Sequence, residues 1–154
     1  MKHILVIGIG SLIMRDDKIG SMVVEAIEDH LSAQGIDALV GETDFQYCFD
    51  KIKEDDYLVI VDAMAQGKDP ALIDVMPLGD ALKGRRKLRT QHEFSLLDLI
   101  ELNYPEIQGC FIGIEVSEIG FGLELSRPLQ ASFEKICTFV LNTVLKIKEE
   151  MERA

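Results

Sequence analysis

Cysteine is scarce in this 154-residue sequence, and its spacing argues against several kinds of site. The three cysteines, Cys48, Cys110 and Cys137, are far apart and form no Cys-x-x-Cys pair of the kind that binds zinc through thiolates. This set indicates reduced thiols, buried in a cytoplasmic protein, rather than a disulfide framework. The sequence also has no Gly-x-Ser-x-Gly motif, which argues against a serine nucleophile.

Basic residues and long apolar runs are also in short supply. Lys and Arg number 16 against 27 Asp and Glu, and the net charge of −11 argues against nucleic acid or an anionic membrane surface as a partner. No apolar run approaches the roughly 20 residues that span a bilayer. The apolar part of the N-terminus is too short for a secretory signal. We therefore expect a cytoplasmic protein that binds neither nucleic acid nor a membrane.

The sequence does contain a regular alternation of strand-like and helix-like segments. Apolar runs predict strands at about residues 3–8, 36–42, 57–62, 72–76 and 109–116. Apolar residues at helical spacing, with capping signals, predict helices at about 18–33, 43–53 and 94–103, and a C-terminal helix with Pro128 in its first turn. This alternation predicts one domain over residues 1–154, a three-layer α/β/α sandwich around a mostly parallel, mixed central sheet.

The segment after the first strand begins like a dinucleotide-binding fold and then departs from it. A Gly-x-Gly turn at 8–10 is followed by Ile13 where a third glycine is expected, and by the pair Asp16 and Asp17. Carboxylates repel the phosphate that such a helix N-terminus would bind, and they suit a cation or a helix cap. A Rossmann-type nucleotide-binding module remains an alternative, since Glu42 follows the second strand as a ribose-binding acid would.

Three residues of metal-ligand type are predicted at the carboxyl edge of the sheet. Asp17 follows the first strand, Asp62 ends the strand at 57–62, and His92 lies in the loop before the helix at 94–103. Two of them also have an ordinary structural interpretation: Asp62 as a turn residue, and His92 as a capping or exposed residue. To Asp16 we assign a helix cap, worth about 1 kcal/mol. From spacing alone, a divalent-metal site and these structural roles are equally well supported.

The motifs of this chain resemble those of the hydrogenase maturation proteases, the endopeptidases that process the large subunit of nickel-iron hydrogenases. The resemblance runs from about residue 3 to 145. It is carried by four motifs: Gly8-x-Gly10-x-x-x-x-x-Asp16-Asp17-x-x-Gly20, Val59-Ile60-Val61-Asp62-Ala63, His92-x-x-Ser95-Leu96-x-Asp98-Leu99, and Gly113-Ile114-Glu115 followed by Gly120, Gly122 and Leu125-Ser126.

The resemblance implies an endopeptidase that removes the C-terminal extension of a nickel-loaded precursor of the hydrogenase large subunit. The metal-contacting positions of the family fall on Asp17, Asp62 and His92, which are therefore also our candidate catalytic residues. They would engage nickel carried by the substrate, so we expect no permanently bound cofactor. Whether the metal polarises the scissile carbonyl or activates water, or a carboxylate acts as general base, stays open. The other alternative is a catalytically silent relative that acts as a metallochaperone or scaffold.

Two features depart from the pattern of the family or from the acidic character of the chain. Lys18 stands where the family commonly has glycine, and brings a positive charge beside Asp17. Five cations also crowd into the seven residues from Lys83 to Arg89, just before His92: Lys83, Arg85, Arg86, Lys87 and Arg89. We interpret this run as a solvated, flexible loop. The alternative is a loop that docks an acidic part of the precursor.

Overall fold

The computed structural model describes residues 1–88 and 96–154, with the backbone alone described for 85–88. Its strands are β1 (Ile4–Ile9), β2 (Asp37–Glu42), β3 (Tyr57–Met64), β4 (Ile73–Pro77) and β5 (Gln108–Glu115). Its helices are α1 (Ile19–Ala33), α2 (Phe45–Lys51), α3 (Leu78–Leu88), α4 (Leu96–Asn103) and α5 (Arg127–Arg153), with a 3-10 turn at Asp16–Lys18.

The five strands form one mixed sheet in the order β2-β1-β3-β5-β4. β2, β1, β3 and β5 are parallel to one another, whereas β4 is antiparallel to β5 and forms an edge of the sheet. β3 continues two residues past the predicted end at 62, because Ala63 and Met64 are buried and pair with Ile114 and Glu115 of β5. Asp62 therefore lies within the central strand rather than at its end.

Helices cover both faces of the sheet. Ile4 and Val6 of β1 face α1 and α5 and belong to one apolar cluster, which includes Ile136 and Val140 of α5. Leu5, Ile7 and Ile9 of β1 belong to a second apolar cluster that includes residues of α2, α3 and α4. This alternation of buried side chains along β1 is what a strand covered on both sides requires. The predicted α/β/α sandwich with a mostly parallel, mixed sheet is confirmed.

One prediction about the fold is wrong. The sequence pattern predicts a loop between 76 and 94, but residues 78–88 form α3. Leu78, Ala81 and Leu82 are buried at helical spacing and pack α3 against the sheet. The flexible loop expected from the basic run is therefore helical in backbone from Lys83 to Leu88, while Arg89 lies outside the described residues. Docking of an acidic segment by these cations stays a prediction.

Within residues 1–88 and 96–154, no helix combines the length and the apolar character needed to cross a bilayer.

Candidate functional site

The carboxyl ends of the parallel strands β1, β3 and β5 meet at one edge of the sheet, where open α/β folds place their ligands. Because β3 lies between β1 and β5, the loops that follow β1 and β5 flank the end of β3. The loop after β1 contains the turn Asp16–Lys18, which contacts β3. The acidic pair of the first loop therefore lies next to the strand that carries Asp62.

Gly20 in the first turn of α1 makes this close approach possible. A Cβ on Gly20 would overlap the carbonyl group of Val61 and would lie 2.5 Å from the carbonyl oxygen of Ile9. Any side chain here would push the start of α1 away from the ends of β1 and β3. Glycine at this position thus holds the turn at 16–18 against the strand end that carries the candidate site.

Asp17 is buried, with 2% of its surface exposed. Its carboxylate accepts a hydrogen bond from the backbone N–H of Ser11 at 3.3 Å, across the loop. Gly10 has a φ of +136°, and a Cβ there would overlap the backbone carbonyl of Asp17. The hydroxyl of Ser21 donates to the carbonyl oxygen of Gly10 at 2.9 Å. These contacts fix the loop that carries Asp17 against the start of α1.

Asp62 is also 2% exposed, and the residues on either side of it in β3 are apolar. Its carboxylate accepts a hydrogen bond from the backbone N–H of Ala63 at 2.8 Å, and its Cα pairs with Gly113 of β5. A hydrogen bond to its own backbone is what the turn interpretation expected, but here it occurs inside a strand. A carboxylate buried at this edge is costly to desolvate unless hydrogen bonds or opposite charges compensate it.

The third predicted ligand, His92, lies outside the described residues. Within residues 1–88 and 96–154, no group of three or more His, Cys, Asp or Glu side chains is arranged to hold a metal ion. The fold thus brings the loop of Asp17 and the strand of Asp62 to one edge. The assignment of Asp17, Asp62 and His92 as a metal-contacting and catalytic set stays a prediction.

Asp16 does not cap α1, so this prediction is wrong. The residue that precedes α1 is Lys18, and it makes no side-chain capping bond. The fully buried carboxylate of Asp16 instead accepts hydrogen bonds from the N–H groups of Ser117, Glu118 and Ser126, each at 2.8 Å, and from the hydroxyl of Ser126 at 2.7 Å. Asp16 therefore joins the loop after β1 to the loop after β5.

Lys18 also serves this connection between loops. It is buried, with 4% of its surface exposed, and its ammonium group donates a hydrogen bond to the carbonyl oxygen of Leu123. The positive charge expected beside Asp17 is therefore hydrogen-bonded to the loop after β5. Arg15 acts in the same way from the surface, since its guanidinium donates to the carbonyl oxygen of Phe121 at 3.3 Å and lies 3.6 Å from the carboxylate of Glu118.

Glu115 is a buried carboxylate at the same edge to which the sequence analysis assigned no role. It ends β5 opposite Met64 and is 2% exposed. Its two carboxylate oxygens accept the backbone N–H of Gln66 at 2.9 and 3.2 Å, which holds the loop that follows β3. The signal in the sequence is an acidic residue at the end of an otherwise apolar strand, within the quoted motif Gly113-Ile114-Glu115.

The environments of the three cysteines disfavour the thiolate form. Burial raises the pKa of the Cys48 thiol to about 11, and it does the same for the Cys110 and Cys137 thiols. A reactive cysteine needs a pKa lowered towards neutrality by cations or a helix N-terminus, so that the thiolate is populated. None of the three thiols has such an environment.

A known protein family matches most of this chain. The sequence model of the hydrogenase maturation protease family matches residues 21–143. The chain belongs to this family. The matched range contains Asp62 and His92 and begins just after Asp17. The resemblance found from the motifs is confirmed, and so is the class of enzyme, a peptidase. Family membership also favours the peptidase over the nucleotide-binding alternative.

Individual relatives show how far the likeness extends. The hydrogenase expression/formation protein HupD of Thiocapsa roseopersicina is 37% identical over 69 residues, which are 44% of this chain and 31% of that protein. HupM of Azotobacter chroococcum is 25% identical over 148 residues, covering 90% of this chain and 70% of that one. The aligned segments thus span about a third of HupD and about two thirds of HupM.

A solved structure supports the fold. The hydrogenase maturating endopeptidase HybD of Escherichia coli superposes with a TM-score of 0.77 at 20% sequence identity, covering 94% of this chain and 93% of that one. At this level of identity the similarity establishes a shared fold.

Proposed function

We propose that this chain is the endopeptidase that removes the C-terminal extension of a nickel-loaded precursor of the hydrogenase large subunit, in the cytoplasm. The observation that carries the proposal is the burial of two carboxylates, Asp17 and Asp62, at the carboxyl edge of the sheet in a member of this family. His92, from the segment before α4, would complete the set. The substrate is a protein, and its nickel is cargo rather than a resident cofactor.

Burial of the two carboxylates supports recognition of a metal on the substrate. Asp17 and Asp62 lie in a region from which water is largely excluded, each 2% exposed, so each negative charge is costly there. A divalent cation that arrives with the precursor offsets this cost. Two carboxylates with one imidazole suit a borderline ion such as nickel. We infer that attraction between these carboxylates and nickel favours the loaded precursor, and that a precursor without nickel is processed poorly.

The same side chains are suited to the proton transfer that peptide hydrolysis needs. The oxygen of a water molecule forms a bond to the scissile carbonyl carbon, the carbon–nitrogen bond breaks, and the proton lost by water passes to the departing amine. Asp17 or Asp62 would accept this proton as a general base and return it to the amine. Nickel on the substrate would polarise the carbonyl group.

The test is the processing of the large-subunit precursor, loaded with nickel or free of it, followed by intact mass. We expect the wild type to release the C-terminal peptide from the loaded precursor only. Asp17→Asn, Asp62→Asn and His92→Ala should each reduce the rate by about 100-fold or more, since a general base or metal contact is lost. Asp50→Asn is the matched control, because Asp50 is exposed on α2 and accepts a hydrogen bond from Gln46.

The outcomes separate the alternatives. Full activity of all three site variants would contradict the assigned residues while leaving an endopeptidase. Equal cleavage of loaded and nickel-free precursor would contradict recognition of the metal. Binding of the precursor without cleavage by the wild type would favour the silent metallochaperone or scaffold.

A further inference from the structure

Four large apolar side chains lie exposed on the loops beside the candidate site. Leu12 and Ile13 belong to the loop after β1 and are 37% and 57% exposed; Phe121 and Leu123 belong to the loop after β5 and are each 79% exposed. We refer to these four residues as the loop patch. We infer that the loop patch is the docking surface for an apolar segment of the precursor that carries basic residues beside it, an inference that rests on the proposed function.

The backbone brings the two halves of the loop patch together. Met14 and Phe121 form an antiparallel bridge between the loops. On either side of this bridge, the N–H of Gly122 donates to the carbonyl oxygen of Ile13 and the N–H of Arg15 donates to that of Gly120, both at 3.1 Å. The two loops therefore form a short two-stranded ribbon. The bridge therefore places the segment that carries Leu12 and Ile13 beside the segment that carries Phe121 and Leu123.

Polar contacts hold the ribbon in place. Asp16 accepts four hydrogen bonds from Ser117, Glu118 and Ser126, at either side of the loop after β5, and Lys18 donates to the carbonyl oxygen of Leu123. The conformation is thus set by polar, mostly buried contacts. None of the four apolar side chains of the loop patch belongs to the two apolar clusters of the core, and an exposed apolar surface of this kind is typical of an interaction site.

The position of the loop patch suits a protein substrate. Its two loops follow β1 and β5, the strands on either side of β3, which carries Asp62. Along the chain, Ile13 is followed four residues later by the buried Asp17. A segment seated on the loop patch is therefore continuous with the edge at which we propose cleavage. Binding there would hold the precursor while its C-terminal extension enters the site.

Charge identifies the occupant. The carboxylates of Glu118 and Glu124, in the same loop, are exposed, and the chain as a whole carries a net charge of −11. Arg15 lies 3.6 Å from Glu118 and the exposed Arg127 lines the same hollow as Glu124, so these local charges nearly balance and the excess of acid is that of the chain as a whole. A second copy of this acidic chain would be repelled at this surface, whereas an apolar segment flanked by Lys or Arg is attracted to it.

The experiment measures binding rather than cleavage. Nickel-free precursor of the large subunit is titrated calorimetrically into the wild type, so that processing does not consume the complex. We expect the double variant Phe121→Ser, Leu123→Ser to bind at least about tenfold more weakly, as loss of buried apolar anchors does. The matched control is Leu102→Ser, Phe139→Ser, which removes one Leu and one Phe exposed on α4 and α5. Its affinity should stay within about twofold of the wild type.

A second variant tests the charge. Glu124→Lys should weaken binding and reduce its dependence on salt concentration, because an attraction between opposite charges is screened by salt. Unchanged thermal unfolding temperatures of both variants would show that neither effect is a folding defect.

Equal affinity of the wild type and the Phe121→Ser, Leu123→Ser variant would overturn the inference, as would a wild type that does not bind the precursor. Self-association of the wild type that the variant abolishes would overturn it in favour of a second copy. Failure of the wild type to cleave nickel-loaded precursor, together with patch-dependent binding, would instead refute the proposed endopeptidase and leave the docking surface intact.

Discussion

Asp16 and Ser126 are 110 positions apart in the sequence, and the carboxylate of Asp16 accepts both the N–H of Ser126, at 2.8 Å, and its hydroxyl, at 2.7 Å. Ser126 is the residue before α5, and its hydroxyl makes no capping bond to that helix. The negative charge of Asp16 instead lies at the N-terminus of α5, where the helix dipole favours it. Asp16 thus anchors the loop after β1 to the start of the longest helix.

The first prediction concerns this anchor. Asp16→Asn keeps the shape of the side chain but replaces one acceptor oxygen by an NH2 group that faces buried N–H donors. We expect a loss of about 3 kcal/mol in the free energy of unfolding, since a buried, charge-assisted set of hydrogen bonds is broken. Urea unfolding measures this loss. The control Asp50→Asn, on the surface of α2, should cost less than about 0.5 kcal/mol. Equal stabilities of the two variants would contradict the anchoring role.

The misassignment of Asp16 shows what sequence reasoning lacks. An acid just before a helix is most simply read as the cap of that helix, and the local sequence contains no sign of a partner more than 100 positions away. Glu115 was missed for a similar reason, because its partner is the backbone of the loop at Gln66. Contacts across the sheet edge depend on strand order, which the periodicity of apolar residues does not encode.

The layers of the fold could be predicted, because long apolar runs and helical stripes such as Ile136, Val140 and Val144 report burial directly. α3 could not. Among its described side chains the buried apolar ones are Leu78, Ala81 and Leu82, and the run of cations that starts at Lys83 obscures this short apolar pattern in the sequence. The edge that carries Asp17 and Asp62 was correctly placed by the rule for parallel strands, whereas their chemistry with His92 stays a prediction.

The second prediction concerns the thiols. Burial raises the pKa of the Cys48, Cys110 and Cys137 thiols to about 11, so at pH 8 only about one thiol in a thousand is ionised. We expect iodoacetamide to label the native protein far more slowly than the urea-unfolded protein, in which all three thiols react, as read by intact mass. Peptidase activity should survive the treatment. Rapid labelling of one cysteine in the native state, with loss of activity, would contradict this view.

The third prediction concerns pH and the opposite end of the sheet. The pKa of His3 is raised above 6.5, chiefly by its hydrogen bond to Asp56 and then by that to Asp37, at 3.0 and 2.6 Å. Protonated His3 therefore stabilises the folded protein. This stabilisation is fully present below pH 6.5, the pKa of His3 in the unfolded chain, and is lost as the pH rises through the higher pKa of His3 in the folded protein. His3→Gln should therefore lower the Tm at pH 5.5 but much less at pH 9.

The effect on the Tm should be small, because the His3 side chain is 46% exposed and solvent screens the pair. Asp37→Asn removes one of the two partners, so its Tm difference from the wild type should depend on pH in the same way but more weakly. Added salt should reduce both Tm differences. An equal Tm difference between the wild type and His3→Gln at both pH values would rule out a titrating contribution.

The last prediction concerns Gly20, which links the packing of the core to the site. A methyl group there would overlap the carbonyl of Val61, in the strand position just before Asp62, and backbone atoms cannot move aside as a flexible side chain can. We expect Gly20→Ala to destabilise the fold by about 2 kcal/mol or more and to reduce processing further than the loss of folded protein explains, because the turn at 16–18 is displaced from β3.

Gly79→Ala is the control: no described atom lies within 4 Å of a Cβ at that position of α3, so the extra methyl group should be neutral or stabilise by up to about 1 kcal/mol. Urea unfolding and precursor cleavage at matched concentrations of folded protein measure both effects. A Gly20→Ala variant as stable and as active as the Gly79→Ala variant would show that the close approach of α1 to β3 does not position the site.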